Sequence, residues 1–469
     1  MFQHINNILY QFRYCFNREK TWQWFVVLIM GFIIRSDDYG VTKVISALKL
    51  KPELYHTMLH FFRSTGYEVP QIYKKWIKIV QKEVNFMRIA NRVILLGDHI
   101  KIPKEGRRMP GIQIIHQESQ NSGKGEYIEG HIHAQVSALI SGKGLTRSLP
   151  LWTERQQSPP KLEGCKKPNG DTLITQMLNL AAKAAGPIDQ KIVLALDAYF
   201  AKASAFLAAD KCVLENGERQ LEIITRGRRD TVGYTLPNPR PRGKRGPNRK
   251  YGERIALYSL FSDMGRFTET TLQLYGKPTK VRFQCMDLIW KPLGRVVRFV
   301  AVESCLGKMV LMYSGIDLQP EDIITTFALR FKIETSFNEQ KNGNGCFAYR
   351  FWTTALPKRK RWSKNNRIPV IDSSVLVEDA EFAIDSYICL STISVGIMTV
   401  IGFTHNSQIW GRYPGWVRTR RFIIPTIAII KETLAHDLPA FLQLYPALPL
   451  CSIINNRLRH AMFLYDDIA

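Results

Sequence analysis

Two well-separated stretches share one design: Val93-Ile94-Leu95-Leu96-Gly97-Asp98 and Ile192-Val193-Leu194-Ala195-Leu196-Asp197. Each is a short, unbroken apolar run that ends on a carboxylate. Strands covered on both faces, as in a parallel sheet, read as continuous aliphatic runs rather than as alternation. A carboxylate inside such a layer is costly unless it is paired or bound to a metal, so its place at the end of the run is informative. Taken singly, each Asp is as well explained as a turn or helix-cap residue, the commoner role after a strand.

Working outward, Ile112 to Ile115 reads as a further strand and His131 to Ile140 alternates apolar and polar residues. A polar stretch from Thr153 to Gly170 follows, and then a helical pattern from Leu173 to Ala185. Three strands, a helix and a fourth strand predict an α/β core. A short helix near Lys202 to Ala208 and a strand at Leu221 to Thr225 come next. The segment Arg226 to Arg254 holds ten Lys or Arg among interleaved Pro and Gly, too polar to pack as a core element. Beyond it, Val281 to Trp290, Val296 to Glu303 and Lys308 to Tyr313 read as strands, with Pro292 and Gly294 as hairpin punctuation. A strong helix begins near Pro320 and continues past Lys341.

Residues 1 to 88 read as helical. Val41 to Leu50 and Pro52 to Arg63 form a pair joined at Leu50-Lys51-Pro52, suited to a DNA-entering helix-turn-helix or to an ordinary helical hairpin. After Pro70, Ile72, Trp76, Ile79 and Val80 mark one face of an amphipathic helix. The expected divisions are a helical, DNA-binding 1–88, the first part of a catalytic core at 89–226, a basic linker and β-rich insertion at 227–315, and a catalytic helix with a C-terminal helical region at 316–469.

Composition narrows the partner. Lys and Arg outnumber Asp and Glu by 65 to 40, a formal charge of +25 that suits a polyanion such as nucleic acid. The eight cysteines contain no C-x-x-C pair, which argues against a zinc cluster or a disulfide framework. The N-terminus lacks a secretory signal pattern. The uncharged stretch Ser386 to Phe403 is rich in Ser, Thr and Gly and predicts a buried helix rather than a membrane span, so the expectation is a soluble, cytoplasmic protein.

A third acid lies downstream. Phe327, Arg330, Glu334, Asn338 and Lys341 follow at steps of 3, 4, 4 and 3, so one helix would carry Glu334 between two cations on a single face. Salt-bridged helix surfaces commonly show the same spacing. Glu339 competes for the role but lies off that face.

Phe327-x-x-Arg330-x-x-x-Glu334-x-x-x-x-x-x-Lys341 resembles the Y-x(2)-R-x(3)-E-x(6)-K signature of a large family of bacterial insertion-sequence transposases, with Phe in place of Tyr. The segment from Asp98 through Pro103 and Lys104 to Gly106 resembles the family's first-Asp segment. Asp197-Ala198-Tyr199-Phe200 resembles its second, and Gly246 to Gly252 its basic linker. The resemblance implies a ribonuclease H-like catalytic core with a β-rich insertion and an N-terminal helical DNA-binding domain. It implies Asp98, Asp197 and Glu334 as catalytic, metal-binding carboxylates for two divalent ions, Mg²⁺ or Mn²⁺. Arg330 and Lys341, and in the linker Arg240, Arg242, Lys244, Arg245, Arg249, Lys250 and Tyr251, would bind DNA. The enzyme would cut at transposon ends and join the 3′ ends to target DNA as a homodimer, without a membrane or a nucleotide cofactor. The Phe327 departure removes a hydroxyl and leaves the acids untouched. A non-catalytic DNA-binding relative and a nuclease outside transposition are the alternatives.

Other signals weigh less. His131 and His133 share a strand face but lack a third ligand. Gly123-Lys124-Gly125 and Gly142-Lys143-Gly144 lack the phosphate-loop spacing. Trp290 at a strand end is better read as packed than as a base-stacking platform.

Overall fold

The computed structural model describes residues 1–36, 40–117, 126–142, 144–158, 170–238, 249–359, 374–418 and 424–459. Among them thirteen strands form one mixed sheet. They are β1 (Arg88–Ile89), β2 (Arg92–Pro103), β3 (Gln113–His116), β4 (Tyr127–Gly142), β5 (Leu145–Gln156), β6 (Ile192–Ala195), β7 (Leu221–Arg226), β8 (Val232–Tyr234), β9 (Arg254–Ala256), β10 (Thr268–Leu274), β11 (Lys277–Trp290), β12 (Arg295–Ser304) and β13 (Gly307–Tyr313). The helices are α1 (Phe2–Tyr10), α2 (Glu19–Ile34), α3 (Thr42–Leu48), α4 (Tyr55–Phe61), α5 (Val69–Glu83), α6 (Leu173–Ala185), α7 (Ala203–Asp210), α8 (Pro320–Leu329), α9 (Lys332–Asn338), α10 (Val375–Thr404), α11 (Asn406–Arg412), α12 (Ile427–Leu444) and α13 (Pro449–Asn455).

The centre of the sheet runs β5-β4-β2-β6-β7. β4 is antiparallel to both β5 and β2, whereas β2, β6 and β7 are parallel to one another. The two quoted runs are therefore neighbouring parallel strands, and α6 makes the crossover from β5 at the near edge to β6, as a connection between strands of like direction demands. The strands after the basic segment do not form a separate layer. β13 pairs antiparallel with β7 and carries the sheet on through β12, β11, β8 and β9.

Alternation sorts the central residues onto two faces. Ile94, Leu96, Val193, Ala195 and Ile224 face α8 and α9, where Ile323, Ile324, Ile333 and Phe337 cover them. Val93, Leu95, Ile192, Leu194 and Leu196 face the other way, toward α6 and the remaining helices. Gly97 lets these layers close: a Cβ there would stand 2.3 Å from Met177 Cε and 2.8 Å from Leu196 Cδ2.

The N-terminal helices share that second core with the C-terminal ones. α2 packs on α10, α12 and α13, α5 lies on β5, and the Trp76 indole donates to the Pro150 carbonyl at 3.0 Å. The pair Val41–Leu50 and Pro52–Arg63 forms α3 and α4, with Val44, Leu48, Met58 and Phe61 buried. α10 is long and apolar enough to cross a membrane by length and composition, but 89% of its apolar window is buried inside the protein. Every residue from Ser386 to Gly402 is buried, as expected of a helix surrounded by protein. Its Gly396 abuts the Trp76 ring, which a Cβ would meet at 2.2 Å.

Candidate active site

Register and alternation place Asp98 and Asp197 together. Leu96 pairs with Ala195, the last parallel pair of β2 and β6, and the two acids stand two residues beyond it on their respective strands. Asp98 continues the parity of Ile94 and Leu96, and Asp197, still extended at φ −77° and ψ 179°, that of Val193 and Ala195. Both acids thus fall on the face covered by α8 and α9. Asp98 does not end its strand, as the apolar run suggested, because β4 continues to pair with β2 as far as Pro103. It ends only the part shared with β6.

Glu334 comes from α9, which packs on that face through Ile333 and Phe337. The single long helix expected from Pro320 past Lys341 is interrupted twice. α8 stops at Leu329, with short-range turns from Phe327 to Arg330 and from Phe331 to Glu334, and after Asn338 the chain widens into a π-helical turn at Glu339–Asn344. Lys341 lies exposed in that turn, off the α-helical register that placed it on the face of Glu334.

Arg330, at the first break, spans the acids. Its Nη1 donates to Asp98 Oδ2 at 3.0 Å and its Nη2 to Glu334 Oε1 at 3.4 Å. Burial, and then the charge of Asp197, push the Asp98 carboxyl up to about 7; Arg330 and the His99 N–H pull it down, and Glu334 adds to the rise. Asp197 and Glu334 therefore both act electrostatically on Asp98. Asp197 also accepts from the Tyr199 N–H at 2.9 Å, so it is a turn cap as well, while the Thr225 hydroxyl holds its carbonyl at 2.5 Å. His99 is turned away from the acids, bonded to Gln156 Oε1 at 2.8 Å and packed on Phe200.

A buried polar network, missed in the sequence, fixes α9. Gln135 Nε2 donates to Ser336 Oγ at 3.2 Å, Gln340 Nε2 to Gln135 Oε1 at 2.5 Å, and Thr153 Oγ1 to Gln135 Oε1 at 3.1 Å. It ties the turns flanking Glu334 to β4 and β5. Its sequence signal is the row of polar residues His131, His133, Gln135 and Ser137 at alternate, buried positions of β4.

The remaining candidates scatter. Arg240, Arg242, Lys244 and Arg245 lie outside the described residues, as do Lys124 and Lys143. Arg249 and Lys250 are exposed, and Tyr251 packs near Tyr234 at 5.2 Å; the three precede β9, at the far end of the strand order from β2 and β6. Glu339 pairs with Arg147 at 3.7 Å, apart from the acids. His131 and His133 are buried, with His131 bonded to the Tyr349 hydroxyl at 2.6 Å and to the Pro110 carbonyl at 2.9 Å, and His133 to the same hydroxyl at 3.0 Å. Trp290 is buried against Phe206.

No family model and no curated protein matches the sequence. Among solved structures, the NurA nuclease from Sulfolobus solfataricus aligns over 60% of this chain and 86% of its own at 13% identity, with a TM-score of 0.21. At that score the likeness carries no argument about this chain.

Proposed function

We propose that the chain cuts and joins DNA as a transposase, with Asp98, Asp197 and Glu334 as its metal-binding carboxylates on a ribonuclease H-like core. The observation that supports this reading is the placement of the three acids: Asp98 within β2 and Asp197 just past β6 stand at matched register on one face, and Glu334 comes from the helix covering that face. The central order, with an antiparallel half and a parallel half, agrees with the core that the sequence resemblance implies.

The donors suit a hard divalent cation, since they are carboxylate oxygens alone. Burial first, and then the charge of Asp197, disfavours the ionised Asp98 carboxyl, and a bound cation would offset that penalty. Among the described residues no three such side chains stand close enough, as placed, to hold an ion, and Arg330 occupies the space between Asp98 and Glu334. Bound ions would activate an attacking oxygen and stabilise the leaving one.

The chain's own contributions follow from the geometry. Near neutral pH Asp98 carries a proton part of the time and must shed it to become a ligand. Arg330, released from the acids, presents a planar fork that fits a phosphate with two donors. Gln135 and Gln340 hold α9 so that Glu334 stays over the strand ends.

Incubation with the DNA flanking its own gene and Mg²⁺ or Mn²⁺, followed by mapping of cut 3′ ends, tests the reading. Asp98→Ala, Asp197→Ala and Glu334→Gln should each abolish cutting while end binding persists. Substantial cutting by any one of them removes that residue from the site, and a parent protein that binds ends without cutting is a non-catalytic DNA-binding protein.

A further inference from the structure

Away from the acids, α3 and α4 face residues 348–354 across a cleft of about 860 Å³ that none of Asp98, Asp197 and Glu334 lines. Its wall carries Lys43, Arg63 and Arg350 as cations, and Tyr55 and Trp352 as aromatics. Asp379 is the one carboxylate among the described lining residues. Among the described residues none of the three cations has an ion-pair partner, whereas Arg330 beside the acids is paired twice. Trp352 is 55% exposed although the residues on either side of it, Phe351 and Thr353, are buried.

Neither feature serves the fold. Unpaired cations facing one another across a concave wall repel, and an indole left in water forgoes the burial that would stabilise it. Both become favourable with an occupant that brings phosphates spaced along a chain and flat apolar rings between them. A peptide lacks the regular anionic charge, and a duplex hides its base faces in its own stack. An unpaired nucleic-acid strand offers both.

We propose that this cleft binds an unpaired DNA strand, with backbone phosphates on Lys43, Arg63 and Arg350 and a base stacked on Trp352. The choice of DNA over RNA rests on the function proposed above; the site itself stands on its own residues. It would make the α3–α4 pair a strand-holding wall rather than a reader of duplex grooves, and would keep an opened end of the DNA on the enzyme while the acids act elsewhere.

Fluorescence anisotropy of the full-length protein with a labelled oligothymidine of about fifteen nucleotides, and with a duplex of equal length, provides the test, with EDTA present to prevent cutting. Combined Lys43→Ala, Arg63→Ala and Arg350→Ala should weaken single-strand binding at least about tenfold. The log–log salt slope should become shallower by roughly 2, since each of three single-strand phosphates contributes about 0.7. Trp352→Ala should weaken binding by about tenfold with the salt slope unchanged, and Trp352→Phe should restore most of it. Native melting of Trp352→Phe guards against a folding artefact. Single-strand affinity and slope equal to the parent's in the triple variant, or losses confined to the duplex, would overturn the proposal. Cutting is scored separately through Asp98→Ala. Strand binding that survives in that variant upholds the cleft whether or not the parent cuts, and cutting by the parent with no effect of the cleft variants removes the cleft alone.

Discussion

Asp98→Asn offers a direct measure of how strongly the three acids oppose one another. The carboxyl is held up to about 7 against an ordinary 3.8, first by burial and then by Asp197. Between these two values the folded chain binds more protons at this position than the unfolded chain does. The contribution to stability is therefore fully retained below about pH 4, falls as pH rises through the window, and is least above about pH 7. A displacement of roughly three units sets a ceiling of ~4 kcal/mol on what the ionised group costs. That displacement is already net of the attraction of Arg330, so Asn, which stands in for the neutral acid and still accepts from the guanidinium, removes the cost without a second loss at the 3.0 Å contact. The expected gain is thus up to about 4 kcal/mol near pH 8 and no more than about 1 kcal/mol near pH 4.5. Urea midpoints of parent and variant at the two pH values, in EDTA, give the comparison. Millimolar Mn²⁺ near pH 8 should then raise the parent's midpoint and leave that of Asp98→Asn nearly unmoved. Equal destabilisation by Asn at both pH values would show that Asp98 is an ordinary partner of Arg330, and the argument for a strained acid site would fail.

Gly97→Val should cost at least about 2 kcal/mol, because its side chain would drive Met177 and Leu196 apart, and should abolish cutting by moving Asp98; a parental melting temperature would refute the packing argument. Gly396→Leu should destabilise by about 1–3 kcal/mol through Trp76 and change the near-ultraviolet circular dichroism, whereas an unchanged spectrum would contradict the close approach of α5 and α10. Affinity for transposon-end duplex should fall steeply with salt, by a slope of about −0.9 per neutralised phosphate, and a flat response would count against a phosphate-dominated interface. Replacing Arg240, Arg242, Lys244 and Arg245 with Ala should weaken end binding and make that slope shallower, and DNA should protect the parent's basic segment from protease; equal cutting with and without DNA would leave the segment a linker.

What was legible in the sequence is what local pattern dictates. The helix at Leu173 to Ala185 appears at those bounds because Thr172 caps it, its hydroxyl accepting from the Thr175 N–H. The runs ending at Asp98 and Asp197 were recognisable because burial on both faces removes polar residues from a strand. β5 escaped for the opposite reason. Its buried positions include the polar Ser148, Thr153 and Gln156, and Pro150 interrupts its pattern. The two breaks flanking Glu334 were equally invisible. Neither contains Pro, and the first contains no Gly; the burial of Ile333 and Phe337 against the sheet, with Gln340 drawn in toward Gln135, sets the chain's path there.

Those breaks bear on how Arg330 is to be understood. On an uninterrupted helix Arg330 and Glu334 would form an exposed pair one turn apart, worth a few tenths of a kcal/mol and without functional meaning. The short-range turn at Phe331 instead leaves Glu334 mostly exposed while the Arg330 guanidinium is largely buried and reaches across to Asp98 on β2. One cation thus answers for acids from two elements, while Asp197 makes its repulsion felt at Asp98. Were neutralising Glu334 the purpose, nothing would require the Asp98 carboxyl to remain strained beside an arginine already in contact with it. Arg330 contacts Asp98 and Glu334 together, and even so burial and the charge of Asp197 keep the Asp98 carboxyl raised. On the function proposed above, a divalent cation beside Asp98 would offset the penalty on its ionised form, and would leave the guanidinium available to an incoming phosphate.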